Sequence, residues 1–254
     1  LPPVIDAHMH LGFAFAYSPP IDLNAPTGDT QYYVNCDAHN PPCTVNLDLY
    51  ANKCASPAML EEMNYELELV LNESGSSFAR THTIPNIIAE MDRLGIQKSV
   101  VLPIAMNLTF GDDASNEWFN AIRNTGLLDR LIPFASVHPN DPDKITKLRR
   151  YAELGMKGVK VHPTMQRIFP DSDAAMEIYV EAGNLGIPVL WHSGRAGIEP
   201  ALMQTYATMD RYVRPIHELP NVRFILGHAG AAMDWEQAML LARDNANAWL
   251  ELSG

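Results

Sequence analysis

The stretch Val4-Ile5-Asp6-Ala7-His8-Met9-His10 decides the reading of the whole chain. It begins apolar and then places two histidines at i and i+2. Along a strand successive side chains alternate faces, so His8 and His10 point the same way. Two imidazoles on one face at a strand's end can grip one metal ion, because neutral imidazole is a common ligand for zinc and similar ions. Asp6, two residues before His8, is expected to support His8 or the floor beneath it.

Working outward, the chain settles into a regular rhythm. Apolar runs at Ser99–Ile104, Leu131–Val137, Gly158–His162, Ile187–His192, Val222–His228 and Ala248–Leu252 read as further strands. Helical patterns separate them: Ile84–Leu94 stopped by Gly95, Ala114–Thr125 before Gly126, Asp141–Leu154 before Gly155, and Asp173–Leu185 before Gly186. Pro200–Leu219 reads as mostly helix, with Pro215 expected to break or kink it. Met233–Ala246 is the last helix. Strand and helix alternate at roughly thirty residues per unit, the length of a parallel βαβ step.

Two architectures fit that rhythm, a closed (β/α)8 barrel or an open doubly wound sheet. No G-x-G-x-x-G loop follows the first strand, where His10-Leu11-Gly12-Phe13 stands instead. Of the nine histidines, six lie at or just past a strand's end: His8, His10, His138, His162, His192 and His228. A barrel builds its site at those ends, so the reading is a (β/α)8 TIM-like barrel with seven strands visible. His39, His82 and His217 lie elsewhere and carry no assigned role.

Residues 1–254 are expected to form one barrel domain, with the eighth strand beyond the C-terminus. A closed barrel at this spacing needs another strand and two helices, roughly fifty residues or more. A loop-rich insertion at about residues 12–80, with one helical pattern at Met59–Leu71, is expected to cap the mouth of the barrel. Cys36, Cys43 and Cys54 all fall within it; they read as free thiols or as one disulfide with a spare thiol. Localisation stays open between the cytoplasm and export after removal of a leader. The charges, 18 basic against 30 acidic, give a net −12, which disfavours nucleic acid and anionic membranes as partners. No apolar run approaches the ~18 residues of a membrane span. The expected partner is a small-molecule substrate, with a homo-oligomer or a bound C-terminal fragment as further partners.

Four stretches, taken in order, resemble the amidohydrolase superfamily. They are the opening His8-Met9-His10 strand, Gly158-Val159-Lys160-Val161-His162-Pro163, Pro188-Val189-Leu190-Trp191-His192-Ser193-Gly194 and Leu226-Gly227-His228-Ala229-Gly230. The branch they resemble is the amidohydrolase-2 group, which also holds decarboxylases related to aminocarboxymuconate semialdehyde decarboxylase. The resemblance implies that His8, His10 and His192 ligate a divalent metal, most simply zinc, with manganese as the alternative. It implies that His228 faces the substrate as a catalytic group or binds a second metal. It also implies an aspartate at the end of an eighth strand, which has no counterpart here. Some superfamily members carry a carboxylated lysine bridging two metals; Lys160 stands at a suitable strand end for that, or for a buried ion pair. His162 and Arg195 are expected to contact substrate, Arg195 through a bidentate grip on a carboxylate.

Three histidines leave a tetrahedral zinc with one open position, and such an ion lowers the pKa of bound water to about 7. The expected activity is therefore metal-dependent hydrolysis of an amide, ester or lactone. A decarboxylase or hydratase on the same scaffold is the alternative, and a barrel that binds a small molecule without turnover is the third.

Overall fold

The computed structural model describes residues 3–12, 21–28, 30, 77–108, 112–196 and 201–253. The helix expected at Met59–Leu71, the three cysteines and most of the insertion lie outside the described residues. The described piece of the insertion is bound to the start of the helix Ile84–Leu94. Ile84 N–H donates to Leu23 O, and the Asn86 side chain bonds Thr27.

The strands are β1 (Val4–Met9), β2 (Ile96–Val101), β3 (Leu131–Pro133), β4 (Ala135–Ser136), β5 (Val159–Val161), β6 (Val189–His192), β7 (Phe224–Gly227) and β8 (Ala248–Leu250). The helices between them are α1 (Ser77–Thr81), α2 (Ile84–Leu94), α3 (Ala114–Thr125), α4 (Lys144–Leu154), α5 (Pro163–Gln166), α6 (Asp173–Asn184), α7 (Ala201–Gln204), α8 (Asp210–Glu218) and α9 (Ala231–Asp244). Every strand pairing is parallel, in the orders β1-β2-β3 and β4-β5-β6-β7-β8.

The two ladders are joined by one run of chain. The expected strand Leu131–Val137 is split at Phe134: β3 pairs back to β2, while β4 pairs forward to β5. The continuity survives, since Phe134 N–H donates to Val101 O and Lys157 N–H to Pro133 O. β3 and β4 thus occupy a single strand position, and the described strands fill the seven positions expected of the sequence.

Helix ends follow the stop signals. Gly95, Gly126 and Gly155 each cap a helix in the left-handed conformation. One local expectation fails, and one element was not expected. Pro215 lies inside α8, and the interruption falls earlier, between Gln204 and Asp210, where the chain turns to bury Ala207 and Met209. Burial of those side chains fixes the turn, while the proline removes only one internal hydrogen bond. The short helix α5 was not foreseen; His162 caps it and Pro163 opens it.

Alternation sorts the strand residues into two layers. Val159, Val161, Val189, Trp191, Phe224 and Leu226 face the helices, where Trp191 stacks on Phe224 at 4.4 Å and donates to the Tyr179 hydroxyl. The opposite face holds a smaller apolar cluster of Val100, Leu102, Phe134 and Leu190. Lys160, Leu190 and His192 belong to this inner face by the same period of two. Among the described residues, no helix is long and apolar enough to cross a membrane.

Candidate metal centre

The inner face changes character toward the C-terminal strand ends. Above Leu190 the next inward position is His192. His8 lies at the end of β1 and His10 just past it, His192 ends β6, and His228 follows β7. Their rings meet: His8 to His10 at 5.1 Å between centroids, His8 to His228 at 4.5 Å, and His192 to His228 at 4.8 Å. His162, just past β5, stacks on His192 at 4.0 Å. Lys160, fully buried on β5, sits with Nζ 3.3 Å from His8 Nε2.

β1 is irregular at this point. Its register to β2 shifts between Asp6 and Met9, and the His8 N–H is taken by Asp6 Oδ1 at 3.0 Å. Asp6 therefore supports His8, as its spacing suggested. Such irregularities re-aim side chains beside sites. The end of β7 is also unusual, with left-handed backbone at His228 (φ 60°) and Ala229 (φ 48°), a region sparsely used by residues that carry a side chain.

Glycines let the loops close over one another. A Cβ on Gly194 would sit 1.9 Å from Gly230 O, and one on Gly227 would sit 2.4 Å from Trp191 O and 3.5 Å from the His8 ring. Ser193 ties the same ends together by donating Oγ–H to Gly227 O at 2.7 Å. The Tyr212 hydroxyl holds His192 through its carbonyl at 2.8 Å.

The hydrogen-bond partners fix the imidazole tautomers. His10 Nδ1 lies 2.6 Å from Leu102 O, and His228 Nδ1 lies 2.9 Å from Ser253 O. A carbonyl only accepts, so both nitrogens carry the proton and each Nε2 keeps its lone pair. His8 Nδ1 faces Glu251 Oε2 at 2.8 Å in the same sense. Burial, first of all, pushes these histidines toward the neutral form, and the nearby Lys160 charge adds to it. His8 is lowered far below its ordinary value, His10 to about 3 and His228 to about 2. Burial also lowers Lys160 to about 7, against a raising influence from Glu251. Asp6 is raised, chiefly by burial.

Neutral imidazoles with one nitrogen held by an outer oxygen are the donors that a divalent cation needs. The residues present fit such an ion. The ligand atoms of His8, His228 and Glu251 lie within 4.8 Å of one another among the described residues. This set shares only His8 with the trio expected from the sequence, though His10 and His192 pack against it.

The other expected site residues divide. His162 Nδ1 accepts the Met165 N–H as the cap of α5, so its neutral ring carries the proton on Nε2. Arg195 is spoken for: its backbone N–H and its guanidinium both donate to Asp234, a buried carboxylate on α9. Lys160 faces His8 in a pocket with no solvent access. Glu251 and Ser253 were missed in sequence. The available signal was an acid at the end of an otherwise apolar strand, Ala248-Trp249-Leu250-Glu251.

A profile of the amidohydrolase family, of the amidohydrolase-2 type, matches residues 75–254. The chain belongs to the amidohydrolase family. The match takes in Lys160, His162, His192 and His228 and leaves out His8 and His10, whose place in the cluster rests on geometry. No curated protein matches the chain. Solved structures of several TIM-barrel proteins resemble this amidohydrolase. An uncharacterised TIM-barrel protein from Bordetella bronchiseptica is 19% identical, with a TM-score of 0.55 over 69% of this chain and 61% of its own. The 5-carboxyvanillate decarboxylase of Novosphingobium aromaticivorans, complexed with manganese and 4-hydroxy-3-methoxy-5-nitrobenzoic acid, is 19% identical; its TM-score is 0.57 over 95% of this chain and 69% of its own. A probable 2-pyrone-4,6-dicarboxylic acid hydrolase from Acinetobacter baumannii, with citric acid bound, is 14% identical at a TM-score of 0.51, over 99% and 70%. Identities this low speak for the fold alone, and the fold is that of a TIM barrel. The chain spans less than two thirds of the Bordetella protein's length.

Proposed function

We propose that this amidohydrolase is a metal-dependent enzyme that decarboxylates a small, carboxylate-bearing substrate. The carrying observation is the buried cluster itself: neutral His8, His10 and His228 with Lys160 against His8, and with Glu251 already engaged by several donors. Such a pocket has Nε2 lone pairs to offer a divalent cation, and the charge of a bound cation would in turn attract an anionic substrate. The manganese-bound decarboxylase among the similar structures supports the reading, because its substrate also carries a carboxylate.

In this reading His8, His10 and His192 hold the ion. Zinc suits three imidazoles, and the similar decarboxylase favours manganese. An ion bound there would supply Lewis acidity toward a substrate oxygen. His228, with Nδ1–H fixed on Ser253 O, takes up and returns a proton at Nε2. His162 keeps an Nε2–H to donate to a substrate oxygen. Arg195 grips a carboxylate only if it leaves Asp234, so its expected substrate role passes to a supporting one, holding the loop after β6 on α9.

Hydrolysis of an ester, lactone or amide is the second reading, favoured by the likeness to the pyrone dicarboxylic acid hydrolase. One experiment separates the two. Metal content is measured first; then manganese- and zinc-loaded protein is given 5-carboxyvanillate and 2-pyrone-4,6-dicarboxylate. Metal-dependent release of carbon dioxide supports decarboxylation. A ring-opened acid without carbon dioxide establishes the hydrolase instead. No turnover of either compound by the loaded protein would sink both substrate assignments.

A further inference from the structure

Glu251 sits just past β8, at the seventh strand position, and its side chain is nearly inaccessible. Its Oε2 receives His8 Nδ1–H at 2.8 Å, the His228 N–H at 3.2 Å and the Ser253 hydroxyl at 2.8 Å. Its Oε1 receives the Ser253 N–H at 2.6 Å. The carboxylate is thus surrounded by donors. Ser253, locked by two of these bonds, in turn accepts His228 Nδ1–H through its carbonyl.

We propose that Glu251 is the positioning residue of the centre, setting the tautomer of His8 and the posture of His228 through one carboxylate. The inference rests on the metal-dependent reading above. For His8, the carboxylate acts on one nitrogen and Lys160 on the other. Nδ1–H is drawn to Glu251, which leaves the lone pair on Nε2, 3.3 Å from the Lys160 amine. An imidazole held in this tautomer presents Nε2 as a ligand without having to move a proton first. For His228, the left-handed backbone presents its N–H to the same oxygen, and the ring is oriented by the residue that Glu251 fixes.

The test compares the intact chain with Glu251→Gln. The amide is nearly isosteric, but it replaces one acceptor oxygen by a donor and so opposes the N–H and O–H groups that converge there. Metal-free, histidine-15N-labelled protein is examined by long-range 1H–15N correlation, with the His8 signals assigned by their loss in His8→Gln. Zinc and manganese affinities are measured by chelator competition. The expected wild-type result is a proton on His8 Nδ1. In Glu251→Gln the proton moves wholly or partly to Nε2, and affinity for both ions drops about tenfold to a hundredfold. A wild-type His8 protonated at Nε2 overturns the proposal even if the variant fails to fold. So does a folded variant that keeps both the wild-type tautomer and the wild-type affinity. If wild-type protein takes up neither ion while the His8 proton still moves in the variant, the metal-dependent reading falls and the positioning role stands.

Discussion

Two groups of histidines occupy strand ends of this fold, and they differ in which ring nitrogen is taken. At β4 and β5, His138 Nδ1 accepts the Asn140 N–H and His162 Nδ1 accepts the Met165 N–H. His138 then spends its Nε2–H on Gln166 O at 2.9 Å. At β1 and β7, by contrast, His8, His10 and His228 each give Nδ1–H to an oxygen and keep the lone pair on Nε2, that of His8 facing the Lys160 amine. The first group is braced by backbone donors and has no lone pair left over when neutral. The second is braced by acceptors and has one to offer. Burial does not distinguish them; the polarity of the partner does. Gln166 completes the first group, with its amide donating to Ala105 O and Val137 O and its oxygen accepting the His162 N–H. That network stitches three strand ends together and reads as scaffold.

The largest effect should come from the second group. Replacing His8 and His10 by Ala is expected to abolish uptake of zinc and manganese while the far-ultraviolet circular dichroism stays near wild type, because the inner cluster of Val100, Leu102, Phe134 and Leu190 is untouched. Elemental analysis after dialysis against either ion decides it, and an undiminished metal content would break the distinction between the groups. Next comes His228→Ala, expected to lower kcat about 10²- to 10⁴-fold with metal still bound. Loss of both together would make His228 a ligand in place of a proton carrier.

The first group should respond in stability. His138→Ala leaves the buried Gln166 carbonyl without its partner, and is expected to destabilise by about 1–3 kcal/mol in urea titration. His162→Ala removes a helix cap and should destabilise by about 1 kcal/mol. Metal stoichiometry is expected to be unchanged in both, and a metal-free His138→Ala would show that the scaffold and the centre are not separable.

The smallest effect is a control away from the strand ends. Glu181, buried on α6, is held below its ordinary 4.5 by its bidentate bond with Arg149. A carboxyl depressed in the folded state stabilises above its unfolded value, and that contribution is lost as pH falls through the folded one. Glu181→Gln should therefore flatten the acid limb of a melting-temperature profile below about pH 5 and leave metal binding alone. An acid limb identical to wild type would assign the acid response to other carboxyls.

Much of this was legible in the chain. Gly95, Gly126 and Gly155 stop their helices where expected, and the seven apolar runs take the seven strand positions. The face shared by His8 and His10, and the inward place of Lys160 and His192, follow from a period of two. The division at Phe134 and the turn before α8 were not legible, since each is set by packing against residues distant in the chain; the helix after His162 is capped locally, but a four-residue helix is too short to leave a periodic pattern.

The sequence by itself determined which histidines end strands and therefore which rings can meet: that depends on local alternation, and alternation is written in consecutive residues. Only the tertiary structure decided what each ring can do there. The proton on an imidazole goes to whichever nitrogen finds an acceptor. For His8 that acceptor is Glu251, 243 residues along the chain, and for His10 it is Leu102, 92 residues along. Arg195 shows the same physics in reverse. Its sequence position beside His192 promised a free fork for substrate, and Asp234, brought over by α9, occupies it.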